Sequence, residues 1–511
     1  MKQLSAIALI LSASLTGCAV GPDFHRPAAP ASRSYSPTAL AAETASARVQ
    51  DGKAQHFDTA KDIPWDWWTL FRSKQINALI EHAFRTNPTI AAAQSALRQA
   101  RQNVIAQQGF FYPSIGISYS PSRNKLAGNY GGNSPGIQGN GSVIATTSGT
   151  PASQGGTPPY NAPVYYDFHV AQLNVGFVPD VFGANSRAVE SLRAQEMAQK
   201  FQLQATYITL AANVVAAALQ EASLRAQILA TEEIVKSNEE GLEILKAQQR
   251  LGYASGIDVA NQDAALGQAR QALRQLQKQF DQTRDLVRAL VGNAQDDEIP
   301  ETFELSTIHL PRELPLTLPS RIVEQRPDVR AAEEALHAAS AQVGVAVANR
   351  LPQFAITGAI GGMASQADWM FRSGGGFFSL IGSVSQSVFD GGTLSAREKM
   401  AREALVQAEA TYRSTVISAF QNVADTLHAI EQDAGSLQGA ARTEAAMKDA
   451  LEITENQYRY GLVNYQTLLA ARQSYQVAAI NLTQAQVLRL GDTAALYMAL
   501  GGGWWNENGS N

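Results

Sequence analysis

Among 511 residues there is one thiol, Cys18, in the run Leu15-Thr16-Gly17-Cys18. As a thiolate it would be a nucleophile, a metal ligand or a point of alkylation. Other residue types able to do chemistry give it no company. The seven histidines show no metal-ligand spacing. The acidic pairs Glu232-Glu233 and Glu239-Glu240 fall in long helical patterns and read as solvated faces. Serine-rich stretches fall in loops or on the polar side of strand patterns. The expectation is a chain without catalytic residues, cofactor or metal.

The elements around that thiol agree. Lys2, the apolar run Ala6 to Leu11 and the small residues from Ser12 to Gly17 have the layout of a secretory signal peptide. Leu15 to Cys18 resembles the bacterial lipobox, in which diacylglycerol alkylates the cysteine sulfur, the chain is cut before it and the new amino terminus is acylated, as with palmitate. The alternative is an ordinary export signal with a buried or free cysteine. Ala19 and Val20, where an aspartate would mark retention at the inner membrane, favour the outer one. With Cys18 lipidated no intramolecular disulfide is possible, so packing and oligomerisation must hold the exported chain. A charged fraction of 17% and a net charge of −5 give no argument for nucleic acid. No apolar run after the signal reaches the roughly 18 to 20 residues of a spanning helix, so any crossing of a bilayer must be made by strands in a closed barrel.

The chain is written twice. Asn87 onward matches Arg326 onward at an offset of 239, with Pro88 over Pro327, Val104 over Val343 and Pro113 over Pro352. From Gly183 over Gly392 to Gly292 over Gly501 the offset is 209. The difference puts thirty extra residues in the first copy, inside a Gly, Ser, Thr and Pro stretch too poor in apolar groups to fold alone. Each copy reads as helix, strand, loop, strand, long helix, turn, long helix. The strands alternate with period two: Ile115, Ile117 and Tyr119 against Ser114, Gly116 and Ser118, and Phe378, Leu380 and Val384 against Ser379, Ser383 and Ser385. One face is apolar and the other small and polar, as for lipid outside and water inside. No proline occurs between Val181 and Ile299 or after Pro352, which permits helices on the order of 100 Å long. Leu405, Ala408, Tyr412, Val416, Ala419, Val423, Leu427 and Ile430 form a stripe of coiled-coil spacing. Four strands cannot close a barrel, and eight leave an interior filled by side chains. Three chains, with twelve strands, are the smallest pore.

"CAVGPDFHRP" at Cys18, "WDWWTLF" at Trp65, "QRPDVRAAE" at Gln325, "VFDGG" at Val388 and "ALGGGW" at Ala499 resemble the outer-membrane factors of tripartite efflux systems, the TolC-like, NodT-type lipoproteins. The resemblance implies a mainly helical, internally duplicated fold with a β-barrel part. Four strands per protomer would join a shared 12-stranded trimeric barrel in outer-membrane lipid, above a long coiled-coil helical tunnel in the periplasm. A periplasmic adaptor and an inner-membrane transporter of RND type would be partners. The family's helical turns form the tip where the adaptor docks and the channel is pinched shut. They map onto Arg250, Leu251, Gly252, Tyr253 and Asp258, and onto Tyr458, Arg459, Tyr460, Gly461 and Leu462. Asp258 matches a tip aspartate, which three copies would make into an acidic ring; an N-cap role is the alternative. The second copy has Thr467 and Ala470 where some members carry aspartates. The resulting division is a signal peptide over 1–17, an extended segment over 18–64, a first copy over 65–292, a linker over 293–314, a second copy over 315–503 and a tail over 504–511. Strands are expected at about 113–121, 164–178, 352–362 and 376–389, with an extracellular loop at about 122–163. Competing readings are a channel for protein secretion, which shares the fold, and a lipid-anchored periplasmic coiled coil without a pore.

Overall fold

The proline-free stretches form two pairs of long helices whose starts repeat at the offset of 209. In the computed structural model, which describes residues 19–28, 34–35, 41–59, 61–126, 135–137, 143–145, 164–293, 300–316 and 319–509, α3 spans Ala184–Arg250 and α7 spans Thr393–Arg459, 67 residues each. Their partners are α4 (Gly256–Val291) and α8 (Tyr465–Ala499). Shorter helices precede each copy: α1 (Lys74–Thr86), α2 (Pro88–Gln108), α5 (Pro319–Gln325) and α6 (Pro327–Ala348). Pro88 and Pro327 open α2 and α6, where a missing N–H costs nothing. Strands are β1 (His56–Asp58), β2 (Ser114–Leu126), β3 (Pro135–Ile137), β4 (Val143–Ala145), β5 (Val164–Phe177), β6 (Glu313–Pro315), β7 (Gln353–Ala364) and β8 (Gly376–Ser385). Cys18 and the signal peptide lie outside the described residues, as does most of the expected loop.

The chain divides into two compact units, each drawing on both copies. One takes the chain through Phe24 with Arg101–Ala194 and His337–Val406. Its centre is an antiparallel sheet in the order β2-β5-β7-β8. Ile117 pairs with Leu173, Leu173 with Ile360 and Ile360 with Phe378, so one apolar face runs across all four strands. Its side chains are open: Ile117 is 85% exposed and Phe378 83%. On the other face Asn174 Nδ2 donates to Ser118 Oγ at 3.0 Å and Gln172 Nε2 to Asn174 Oδ1 at 2.7 Å.

Two strands differ in length from the reading. β2 continues past Pro121 to Leu126 because it is an edge strand, where a proline can sit with its missing N–H side unpaired. β8 ends at Ser385, paired with Gln353, because β7 begins there and supplies no further partner. Within the expected loop, β3 and β4 pair as a small hairpin.

The other unit holds His25–Ala100, Gln195–Leu336 and Gln407–Asn511. Along α7 the stripe is buried from Tyr412 to Ile430 and continues through Ala434, Leu437 and Ala441. A second core forms around Trp67, Phe71 and Ile63, all fully buried, with Trp67 stacked on Tyr497 at 5.4 Å. The segments read as extended and as linker meet here: β1 pairs in parallel with β6. Three-residue strands are too short for period two to show. The tail is likewise engaged, with Trp504 Nε1 donating to the Gln325 carbonyl at 2.6 Å. One window of α3 is, by length and composition, apolar enough to cross a membrane, contrary to expectation. Half of it is buried inside the protein, as in the core helix of a bundle.

Candidate functional site: the helical turns

Both long hairpins reverse by the same device. After Arg250, Gly252 takes φ 81°, its N–H donates to the Gln249 carbonyl at 3.0 Å and that of Tyr253 to the Gln248 carbonyl at 2.8 Å. After Arg459, Gly461 takes φ 72°, with Gly461 N–H to Tyr458 at 2.9 Å and Leu462 N–H to Gln457 at 2.9 Å. This paired pattern is the glycine-dependent helix stop, in which only the residue without Cβ enters the left-handed region cheaply. Around it the turns present bulky groups to solvent: Leu251, Tyr253, Ile257, Tyr460 and Leu462 are each more than two-thirds exposed, and Tyr458 packs edge-on against Tyr465 at 5.7 Å. Ile257 belongs with this set, though its apolar side chain gave no separate signal in an apolar helix start.

The following helices start differently in the two copies. Ser255 caps α4, and Asp258 completes a capping box: Ser255 N–H and Oγ donate to Asp258 Oδ2 at 2.9 and 2.7 Å, and Asp258 N–H donates back to Ser255 Oγ at 3.2 Å. Asp258 is therefore the third residue of the helix and the cap itself lies at Ser255, a correction to the N-cap alternative. The hydrogen bonds from Ser255 hold its carboxyl below the ordinary value of 3.8. In the second copy Asn464 caps α8, accepting from Thr467 N–H and Oγ1 at 2.9 Å each.

Behind the turns the two hairpins are tied together. Asn238 of α3, almost fully buried, accepts at Oδ1 from Gln262 of α4 at 3.0 Å and from Gln473 of α8 at 2.9 Å, while its own amide donates to Ile234 O at 2.8 Å. A Cβ at Gly241 would meet Leu469 and Gln262 at 3.0 and 3.1 Å, which shows how closely the helices approach. Reading by residue type missed this node, because isolated amides in an amphipathic helix look like solvated positions.

The signature motifs work as fasteners. Arg187, buried in α3, donates to Asp23 at 2.6 Å, Glu190 at 2.8 Å and the Val20 carbonyl at 3.2 Å, and Phe24 stacks on His337 at 4.4 Å. Arg326 donates to the Ala499 carbonyl at 2.8 Å, closing the end of α8, and pairs with Asp328.

A duplicated chain that joins long antiparallel helical hairpins to a one-faced sheet with two open edges defines a class, the protomer of an outer-membrane channel. The family model described as "Outer membrane efflux protein" matches residues 79–293 and 318–502, and the chain belongs to that family. It is similar to the toluene efflux pump outer membrane protein TtgC of Pseudomonas putida, 26% identical over 99% of this chain and 97% of that protein. It is also similar to the cation efflux system protein CusC of Escherichia coli, 24% identical over 98% of this chain and all of that one. Among solved structures the Campylobacter jejuni CmeC outer membrane channel superposes with a TM-score of 0.81 at 20% identity, over 95% of each chain. The open state of the Neisseria gonorrhoeae MtrE channel gives 0.75 at 22%, over 95% of this chain and 98% of that one.

Proposed function

We propose that three copies of this chain close their sheets into one 12-stranded barrel in the outer membrane and form a trimeric conduit that carries small molecules outward from the periplasm. The observation that carries this reading is the four-stranded sheet, apolar and exposed on one face, small and polar on the other, with β2 and β8 as its edges. A spacer without a pore has no use for such a sheet. The exposed residues of the two glycine turns are the docking surface for a periplasmic adaptor, which links the conduit to an inner-membrane transporter of RND type. Cys18 carries the lipid. Relatives named for toluene and for cation efflux align over nearly the whole of this chain, so the transporter and adaptor select the cargo.

The test combines pore and tip. Purified protein in planar bilayers should conduct as a trimer. Gly252→Val and Gly461→Val should keep the trimer but lose adaptor cross-linking and raise susceptibility to the pump's substrates. A conducting monomer would sink the barrel, and unchanged cross-linking in both variants would sink the tip. Fatty-acid labelling equal in the native chain and Cys18→Ser would remove the lipid from Cys18.

A further inference from the structure

The duplication places the same strand-to-helix turn twice in one chain, and at the foot of the sheet the two turns differ in what covers them. Gly183 and its counterpart Gly392 each precede a long helix with positive φ, 76° and 87°. A Cβ at Gly392 would meet no atom of the described residues within 4 Å, whereas one at Gly183 would meet Ala19 Cα at 2.6 Å. The amino-terminal segment is seated on the first of these turns. Val20 N–H donates to the Phe182 carbonyl at 3.2 Å, and the Val20 carbonyl accepts from Arg187 Nε. The duplicated positions diverge to make this seat. Arg187 stands where the second copy has Ala396, and Gly344, where a Cβ would lie 2.9 Å from the Val20 carbonyl, stands where the first copy has Ile105.

Beside that seat is a half-open cavity of about 720 Å³, bounded by the helix-side ends of β2, β5 and β7 and by α2, α3 and α6. Phe110, Tyr112, Phe177, Phe182, Val345 and Phe354 line it. Phe177 pairs with Ile356 and continues the apolar face of the sheet, so the cavity lies at the foot of that face. Its volume falls in the range of about 300–1,000 Å³ in which clefts enclose most of a bound small molecule. Asn185 in the same wall accepts from Gln107 at 2.6 Å through Oδ1, while its Nδ2 is shut off from solvent and finds no acceptor among the described residues. An N–H in that position is costly until an acceptor reaches it. Such a wall suits a long apolar chain that carries a carbonyl at one end.

We propose that the cavity seats one of the acyl chains carried by Cys18, so that part of the lipid lies against its own protein and the rest enters the bilayer. The described chain begins at Ala19, against Gly183. One peptide bond, about 3.8 Å between Cα atoms, ties the preceding residue to it, so a lipid on Cys18 leaves the chain at the rim of the cavity. The seat holds the segment in register: Arg187 grips Val20 and Asp23, and Phe24 stacks on His337. The acyl chain then joins the sheet end to the helix starts, where side chains alone leave a gap. This inference rests on the reading that Cys18 is lipidated. A phospholipid of the bilayer and a neighbouring copy of this chain are the rival occupants.

Photo-cross-linking tests it. Cells producing the full chain are grown with a fatty acid bearing a diazirine, their membranes are irradiated, and the purified protein is digested and read by mass spectrometry. The peptide that begins at Cys18 should be joined through its lipid to wall peptides covering residues 177–188 and 345–356. Ala188→Phe, at a half-buried position on α3, and Ala106→Trp, at an exposed one on α2, each put bulk into the cavity. Either should lower those cross-links by about tenfold, the loss of occupancy expected from overpacking, with the label on Cys18 unchanged. Wall peptides joined to phospholipid, or to no lipid as when a neighbouring copy covers them, would overturn the seat and leave the lipid on Cys18 standing. Cross-links undiminished in both variants would do the same. A Cys18 peptide without label would remove lipid and seat together.

Discussion

Gly252 and Gly292 have nearly the same backbone, φ 81° and 77°, and yet replacing each with alanine should have very different results. At Gly252 an added Cβ meets no atom within 4 Å, so the cost is that of an L residue in the left-handed region, about 1 kcal/mol. At Gly292, which ends α4, the same atom would lie 2.7 Å from the Thr86 carbonyl oxygen and 3.1 Å from Asn87 Cα. These are backbone atoms at the junction of α1 and α2 and cannot swing aside. Moving them also strains the bond from Asn87 Nδ2 to the Leu290 carbonyl, now 2.7 Å. Overpacking of about 1–2 kcal/mol and a weakened hydrogen bond of about 1 kcal/mol bring the total for Gly292→Ala to roughly 3–4 kcal/mol. Hydrogen exchange at the end of α4 in the purified protein should then lose protection on the order of a hundredfold, and heat-induced loss of helical circular dichroism should shift down. Gly252→Ala should lose no more than about tenfold, confined to its turn. Equal losses at both sites would refute the division between backbone cost and close packing.

Two further outcomes follow from the charged groups. Glu221→Leu removes the carboxylate that accepts from Arg225 and Arg284, leaving Arg284 its bond to the Glu301 carbonyl, and should destabilise the first hairpin by about 2 kcal/mol, whereas the second copy's set, Glu221→Ile with Arg225→Ala and Arg284→Thr, should come within about 1 kcal/mol of the native chain in thermal unfolding. Asp258 is held ionised below its ordinary 3.8, so its contribution to the start of α4 is present above that value and lost as pH falls through the lower one; protection at the start of α4, measured against the intrinsic exchange rate at each pH, should fall on acidification below about pH 4 and stay constant with pH in Asp258→Asn.

The long helices are legible in the sequence because they combine absent prolines with a repeated stripe, and the turns because Gly252 and Gly461 interrupt that stripe at one register. The faces of the sheet are legible from Ile117, Leu173, Ile360 and Phe378, since period two survives in any exposed strand. What escapes is set by partners distant in the chain. His56–Asp58 forms a strand only because Glu313–Pro315 lies beside it. Pro121 would mark a strand end in a central strand and does not at an edge. Asn238 looks solvated until Gln262 and Gln473 converge on it.

The free margins of the sheet bear on the life history of the chain. A protomer by itself presents β2 and β8 with one row each of backbone N–H and C=O groups that no neighbouring strand among the described residues satisfies. Beside those rows lies a broad apolar face. Such a surface pairs with whatever strand it meets first, so the interval between export and ring closure is the hazardous one, and the yield of finished assemblies becomes a race between correct neighbours and wrong ones. That race depends on concentration. Overproduction of the chain speeds right and wrong encounters alike, but only a productive encounter needs a membrane ready to receive it, so excess chain should accumulate as aggregates, with the membrane, not synthesis, limiting the number of working pores.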